Sequence, residues 1–448
     1  MRSLPIPACI VLVLAPAAHA QEVPSPLTLE EALEVARRNS PDYLQVLNDV
    51  DVAEMGERSS WGAFLPTVNA SVDFSGSHSR SRTGQGDYGQ VVDTARVIDV
   101  TSSSASQRIN FSMQLFDGGR RLNSLRAARA NTRAANARVQ AREVQLRTEV
   151  ATAFYRALGA QQTIGVEERL LESAQEQLEM TQRRFEIGAA RRDEVLGAQA
   201  AVAEQQSALA TARNEARKAR LELLQAMGLD RLADFTLADS LPPVFDPAAL
   251  DGEALVALAL ESSPRVLESM ASLTAAERNE SAARGARWPS ISASAGYGRS
   301  LGSNEYGALF AWDLPNQSWG FSLSASIPIF SRFQTSSQIA QAEAQVQDAR
   351  EQLRSERLAL EVEVRSALLD LQNAYRSLEL AQQSLALSQE RLELMQESYR
   401  TGADVSFIDL QSAIDQAARA ERTAITAQFS YVTALVTLES KIGKEVRP

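Results

Sequence analysis

Leu65-Pro66-Thr67-Val68-Asn69-Ala70-Ser71 has a counterpart in Trp288-Pro289-Ser290-Ile291-Ser292-Ala293-Ser294. The two stretches lie 223 positions apart, as do Ser40-Pro41 and Ser263-Pro264. Downstream, Leu115-Phe116 returns as Ile329-Phe330, Phe185-Glu186-Ile187-Gly188 as Tyr399-Arg400-Thr401-Gly402, and Leu196 as Leu410, now at an offset of 214. The offset falls by 9 between Pro66 and Phe116, so a loop there is shorter in the second copy. The period is too long for a short solenoid repeat. It marks a duplicated unit of domain size, in the order short helices, strand, loop, strand, long helical hairpin. The first repeat is read over 21–230 and the second over 251–448, joined by a linker at 231–250.

Each copy contains two segments that alternate with period 2. Val68, Ala70, Val72 and Phe74 oppose Thr67, Asn69, Ser71 and Asp73. Ile109, Phe111, Met113 and Leu115 oppose Arg108, Asn110, Ser112 and Gln114. In the second copy Ile291, Ala293, Ala295 and Tyr297 oppose Ser290, Ser292, Ser294 and Gly296. Phe321, Leu323, Ala325, Ile327 and Ile329 oppose Ser322, Ser324 and Ser326. Strands of about 9–11 residues with one apolar and one polar face suit a barrel in an outer membrane. A soluble sheet with one wet face has the same pattern, but the Ser/Gly-rich polar faces, the duplication and an export signal favour the barrel. Four strands cannot close, since single-chain membrane barrels begin at about 8. An open strand edge is not viable in lipid. Other copies of the chain must complete the wall, and three copies give twelve strands. The hairpins are read at about 66–117 and 288–330, with loops Gly76–Ser104 and Arg299–Asn316. Trp312 and Trp319 suit an interfacial aromatic belt.

Thr67 to Leu241 contains no proline, nor does Ile329 to Arg447, and Gly402 is the only glycine between Gln334 and Ile442. Such Ala/Leu/Glu/Gln/Arg-rich runs predict long helices at about 119–186 and 332–400. Shorter helices follow at about 192–227 and 405–442. At about 1.5 Å per residue the long ones approach 100 Å, so they must pack in a bundle or coiled coil. Gly188 and Gly402 punctuate the helical runs, as a left-handed turn between antiparallel helices requires.

The first 20 residues read as an export signal: Arg2, an apolar run from Ile6 to Pro16, and Ala18-His19-Ala20 before Gln21. Cys9, the only cysteine, would leave with it. The apolar run follows Cys9 rather than preceding it, which argues against lipidation. The mature chain is then free of thiols and retains His78 as its only histidine. That argues against histidine-based catalysis or metal binding. No Gly-x-Ser-x-Gly elbow or phosphate-cradling loop is present. Neither an enzyme, a cofactor nor a metal site is expected. The formal net charge of −11 disfavours nucleic acid as a partner.

These residues resemble the TolC-like outer-membrane efflux factor family. The resemblance covers essentially the whole mature chain. It includes Leu27-Thr28-Leu29-Glu30-Glu31-Ala32-Leu33 with Asn39-Ser40-Pro41, then Phe64-Leu65-Pro66, then Leu115-Phe116-Asp117-Gly118-Gly119-Arg120. It also includes the turns at Phe185–Gly188 and Tyr399–Gly402 and the Leu-rich ends at Gly228 and Gly443. It implies a mixed α and transmembrane β fold: a homotrimeric 12-stranded β-barrel in outer-membrane lipid, continued by a 12-helix α-barrel across the periplasm. It implies a passive exit duct for a tripartite efflux pump or type I secretion system, partnered by a periplasmic adaptor protein and an inner-membrane pump. It assigns Phe185, Gly188, Tyr399, Gly402, Arg184 and Arg191 to the periplasmic tip, where the adaptor docks. It makes Asp404, Asp409 and Gln411 candidates for a pore constriction, although glutamine stands where an acid is common. Asp117-Gly118-Gly119 becomes Ser331-Arg332-Phe333 in the second copy, which brings the shared geometry of the two strand-to-helix junctions into question. A trimeric outer-membrane stalk or adhesin with a helical spacer is the competing function. It calls for a large exposed head, and no region beyond the hairpins is long enough for one.

Overall fold

The computed structural model describes residues 25–83, 96–229, 235–238, 241–401 and 406–446. The signal segment, Gly402 and Asp404 lie outside the described residues. The order of elements repeats. Helices α1 (Leu29–Asn39) and α2 (Pro41–Gly62) precede strands β1 (Thr67–Thr83) and β2 (Arg96–Phe116), then α3 (Arg120–Glu186) and α4 (Arg192–Ala226). The second set is α5 (Gly252–Ser262), α6 (Pro264–Gly285), β3 (Ser290–Ser303), β4 (Asn316–Ser326), α7 (Gln334–Thr401) and α8 (Phe407–Ile442).

Local chemistry sets these boundaries. Thr28 opens α1 with a capping box: its hydroxyl accepts from the Glu31 N–H at 3.3 Å, and the Glu31 carboxylate accepts from the Thr28 N–H at 2.9 Å. Pro41 and Pro264 open α2 and α6 at a position where no N–H is needed. α3 and α7 contain 67 and 68 residues, which at about 1.5 Å per residue makes each about 100 Å long. Among the described residues, no helix is long and apolar enough to cross a membrane.

The four strands form one antiparallel sheet in the order β1-β2-β3-β4. The register aligns the alternations of all four. Ala70 faces Ile109, Ile109 faces Tyr297, and Tyr297 faces Trp319. One surface is therefore apolar across its whole width, because side chains two apart share a face. The other carries hydroxyls that pair across strands, including Thr67–Ser112 at 2.6 Å, Ser75–Ser104 at 2.8 Å and Ser294–Ser322 at 2.7 Å.

Two sequence expectations need correction here. Much of Gly76–Ser104 is not loop: β1 continues to Thr83 and β2 already begins at Arg96. Polar pairs sustain this part of the ladder, with Ser77–Ser102 at 2.8 Å, His78–Thr101 at 3.0 Å and Arg80–Asp99 at 3.3 Å. Conversely, β4 stops at Ser326, so Ile327 and Ile329 lie beyond it. Pro328 has no N–H to give the ladder.

The main core lies where α1 and α5 pack against the helical hairpins. Phe154, Leu158, Leu371, Tyr431, Leu435 and Leu438 are fully buried there. The Tyr431 hydroxyl donates to the Phe245 carbonyl at 3.1 Å and accepts from its N–H at 3.2 Å, pinning the linker to α8.

The two strand-to-helix junctions share a backbone path despite the lost glycines. Gly118 and Gly119 have φ of 70° and 81°, and Arg332 and Phe333 follow with 49° and 64°. Asp117 accepts from the Arg121 N–H at 3.0 Å, and Ser331 accepts from the Thr335 N–H at 3.3 Å. A hydroxyl thus replaces a carboxylate as the cap, and two residues with Cβ atoms take up a left-handed conformation that glycine adopts freely.

Candidate functional site

The far ends of the helical hairpins carry the residues singled out in the sequence. At the first end α3 stops at Glu186, and Gly188 has φ of 75°. The Gly188 N–H donates to the Phe185 carbonyl at 3.0 Å and the Ala189 N–H to the Arg184 carbonyl at 2.8 Å. These bonds satisfy carbonyls that the helix end leaves free. Arg191 precedes α4, where its N–H donates to Glu194 at 3.3 Å and its guanidinium pairs with Asp193 at 2.9 Å. Phe185 and Ile187 are exposed at this end.

At the second end, α8 starts at Phe407 behind a capping box. The Asp409 N–H donates to the Ser406 hydroxyl at 3.2 Å. The Asp409 carboxylate accepts from the Ser406 N–H at 3.2 Å and from its hydroxyl at 2.6 Å. These bonds, with a smaller contribution from Arg391, hold the Asp409 carboxyl below the usual range. Asp409 is exposed and remains charged at neutral pH. Gln411 turns its amide to Asp415 at 3.2 Å. Arg391 of α7 reaches across to Gln416 of α8.

The two ends touch. The Arg184 guanidinium of α3 stacks over the Tyr399 ring of α7, 4.7 Å from its centroid. Tyr399 is buried, and its hydroxyl has no hydrogen-bond partner among the described residues. Burial raises the phenol above its ordinary range, with Arg184 pulling against the shift.

Farther along the same helices lies a clamp that sequence reasoning missed. Glu167 of α3 is buried, and it accepts from Arg422 of α8 at 2.5 and 2.9 Å. Gln205 of α4 also donates to it. The hydrogen bonds to Glu167 are the largest influence raising the Arg422 guanidinium. Arg169 pairs with Glu421 at 2.5 Å beside it. These partners are 255 and 252 positions apart in the chain, so no local pattern announces them. No cluster of metal-ligating side chains occurs among the described residues. The arrangement offers salt bridges, caps and a stacked cation, which make it a mechanical junction between hairpins.

Comparison with known proteins agrees with this fold. The family described as outer membrane efflux protein matches residues 32–229 and 255–444. Protein CyaE of Bordetella pertussis is 28% identical over 321 residues, covering 71% of this chain and 63% of CyaE. The chain thus spans less than two thirds of that relative's length. Among solved structures, CusC superposes with a TM-score of 0.75 at 24% identity, covering 93% of this chain and 92% of that one. The Campylobacter jejuni CmeC outer membrane channel gives 0.75 at 17% identity, covering 94% and 87%. Two family segments in tandem account for the duplicated helices and strands, and the chain belongs to the outer membrane efflux protein family.

Proposed function

We propose that this chain is the outer-membrane exit duct of a tripartite efflux pump or type I secretion system. It conducts substrate passively and performs no chemistry of its own. Three copies form a twelve-stranded β-barrel in the outer membrane and a twelve-helix α-barrel in the periplasm. The observation that carries the reading is an unsealed seam. β1 and β4 are open edges of a sheet with one apolar face, and neither edge is tolerable in lipid.

The helices on the same two flanks point the same way. Val52 of α2 corresponds in the repeat to Ala275 of α6, yet Val52 is 71% exposed and Ala275 4%. Leu369 of α7 corresponds to Tyr155 of α3, yet the exposures are 65% and 3%. The inner flanks are covered by the other half of the same chain, and the outer flanks await a second copy. A heterologous contact of this kind closes into a ring of three when its rotation is a third of a turn.

The tip is the moving part. The Arg184–Tyr399 stack holds the α3–α4 hairpin to the α7–α8 hairpin, and a periplasmic adaptor that binds the tip would bias the two arrangements. The duct is tested by conductance in planar bilayers together with native mass measurement. A trimer that passes current is expected; a folded, membrane-inserted monomer or a non-conducting trimer overturns the reading.

A further inference from the structure

The main core occupies one side of the helical hairpins, and a recess opens on the other. On α8, Tyr431, Leu435 and Leu438 share the face that the short helices and the linker cover. Thr426, Ser430, Thr433 and Thr437 line the recess. They share the opposite face, because 3.6 residues per turn places Thr433 about 200° from Tyr431. On α3, Phe154 and Leu158 face the core, while Thr152, Arg156 and Thr163 face the recess. α4 and α7 complete its sides, and it holds about 1260 Å³. The short helices and linker would fill the bore of a duct if they lay inside it. The proposed duct therefore makes the recess part of its inner wall.

The floor of the recess is apolar. Phe429 lies over Gly159, and Ala160, Ala208 and Ala212 leave room beside it. The counterparts of Gly159 and Phe429 in the repeat are Asn373 and Glu215, so each chain builds this floor once. Around it stand hydroxyls whose protons are already used. Thr163 donates to the Gly159 carbonyl at 2.9 Å, Thr211 to Ser207 at 3.0 Å, Thr426 to Arg422 at 2.9 Å and Thr437 to Thr433 at 2.8 Å. A threonine hydroxyl has one proton and two lone pairs, so these four offer the recess acceptors only. Arg156, the one cation lining it among the described residues, is held by Glu222 at 2.7 Å. Of the lining carboxylates, Glu167 is taken by Arg422 and Glu215 by Lys218 at 2.7 Å. Glu204 and Asp370 have no cationic partner among the described residues.

An apolar floor, acceptor-only walls and two unpaired carboxylates call for a ligand with the opposite features: an apolar body, N–H donors and a positive charge. Resting on the duct reading, we infer that the recess is a lumenal resting site for amphipathic organic cations, one per chain. Glu204 and Asp370 are exposed, and solvated carboxylates attract a cation only modestly. Weak holding suits a conduit, where a site must favour entry and still release what it holds.

Proflavine, a planar aromatic cation with two amino groups, tests this, with the aromatic anion anilinonaphthalene sulfonate as comparator. Both are titrated by fluorescence into the full-length protein in a neutral maltoside detergent, and protein-free micelles are subtracted. The variant Glu204→Gln/Asp370→Asn removes the two unpaired carboxylates. The control Glu172→Gln/Glu176→Gln makes the same change of charge at exposed positions of α3. Glu172 lies about five turns from Phe154, and so on the side away from the recess. The parent protein is expected to bind proflavine saturably. Binding should be about tenfold weaker in the recess variant and unchanged in the control. Thr433→Trp, which fills the recess without touching a charge, should weaken it too; if that variant fails to assemble, the double variants decide alone. No saturable binding, equal affinity in the parent and the recess variant, equal losses in the two double variants, or tighter binding of the anion would overturn the inference. A conducting trimer with any of those results loses the resting site and keeps the duct. A non-conducting protein whose proflavine binding depends on Glu204 and Asp370 loses the duct, and the lumenal placement with it.

Discussion

The ring of Phe429 on α8 lies directly against the backbone of Gly159 on α3. A Cβ at Gly159 would stand 2.8 Å from Phe429 Cδ2, closer than carbon atoms approach. A glycine inside a long helix costs about 1 kcal/mol relative to alanine, so here it is retained for space and not for propensity. Gly159→Ala forces the ring to move, at an overpacking cost of about 1–3 kcal/mol. The net expectation is a lower melting temperature for Gly159→Ala. Gly165→Ala, which meets only the flexible end of Arg169 at 3.7 Å, should be neutral or stabilising. Thermal melting of the detergent-solubilised protein separates the two. Equal effects would remove Phe429 from the explanation.

Glu167 and Arg422 form the most buried charge contact between hairpins, with Gln205 as a third member. Removing one partner leaves the other charged without its mate, which costs about 3–5 kcal/mol in buried pairs. Arg422 is partly solvated, so Arg422→Ala should cost more than Glu167→Ala, because it strands the buried carboxylate. The double variant should be less destabilised than the sum of the two. A double-mutant cycle by denaturation checks this, and additive losses would show that the contact is decorative.

The Arg184–Tyr399 stack is expected to hold the tip closed. A partly desolvated cation–π contact contributes about 1–2 kcal/mol. Arg184→Ala or Tyr399→Ala should therefore raise the open population about five- to thirtyfold, at 1.4 kcal/mol per tenfold. Tyr399→Phe keeps the ring and removes a hydroxyl that has no partner among the described residues, so it should leave the closed state intact. Single-channel recording gives the open fraction. A Phe variant as leaky as the Ala variant would place the restraint on the hydroxyl instead.

Asp409 links pH to the second tip. Its carboxyl is lowered by the Ser406 hydroxyl and N–H. The ionised form is therefore favoured in the folded state. The capping contribution is complete above the ordinary aspartate range, near pH 4, and is lost as pH falls through the lowered folded value. A modest cation preference is expected to persist through mildly acidic pH and fade below it. Asp409→Asn should reduce that preference at neutral pH and flatten its dependence. Reversal potentials under a salt gradient measure both, and anion selectivity in the parent protein would refute a role for Asp409 at the constriction.

Gly118 and Arg332 occupy the same left-handed position in the two repeats but differ in surroundings. A Cβ at Gly118 would fall 2.3 Å from the Gly285 carbonyl oxygen and 2.7 Å from Trp288 Cβ. Gly118→Ala should prevent assembly of the folded protein. Arg332→Gly relieves about 1–2 kcal/mol of left-handed strain, partly offset by the freer unfolded chain, and should raise stability by roughly 0.5–1 kcal/mol. Yield and melting temperature check both variants.

The sequence by itself determined the elements and their repetition. Period-2 alternation at Val68–Phe74 and Phe321–Ala325 reports strands because side chains alternate across a pleat. The absence of proline and glycine from Gln334 to Thr401 reports a helix because only those residues interrupt the hydrogen-bond ladder locally. Gly188 marks a turn because a positive φ costs glycine nothing. Each of these signals acts over a few residues, so a reader of the chain sees it. The same reading ended β1 too early near Gly76, because polar cross-strand pairs extend the ladder without any apolar alternation.

Only the tertiary structure decided which distant groups meet. Glu167 finds Arg422 across 255 positions, Gly159 makes room for Phe429, and Arg184 stacks on Tyr399. These contacts depend on where two long helices cross. Crossing geometry is set by packing along about 100 Å of helix, and no short stretch of sequence contains it.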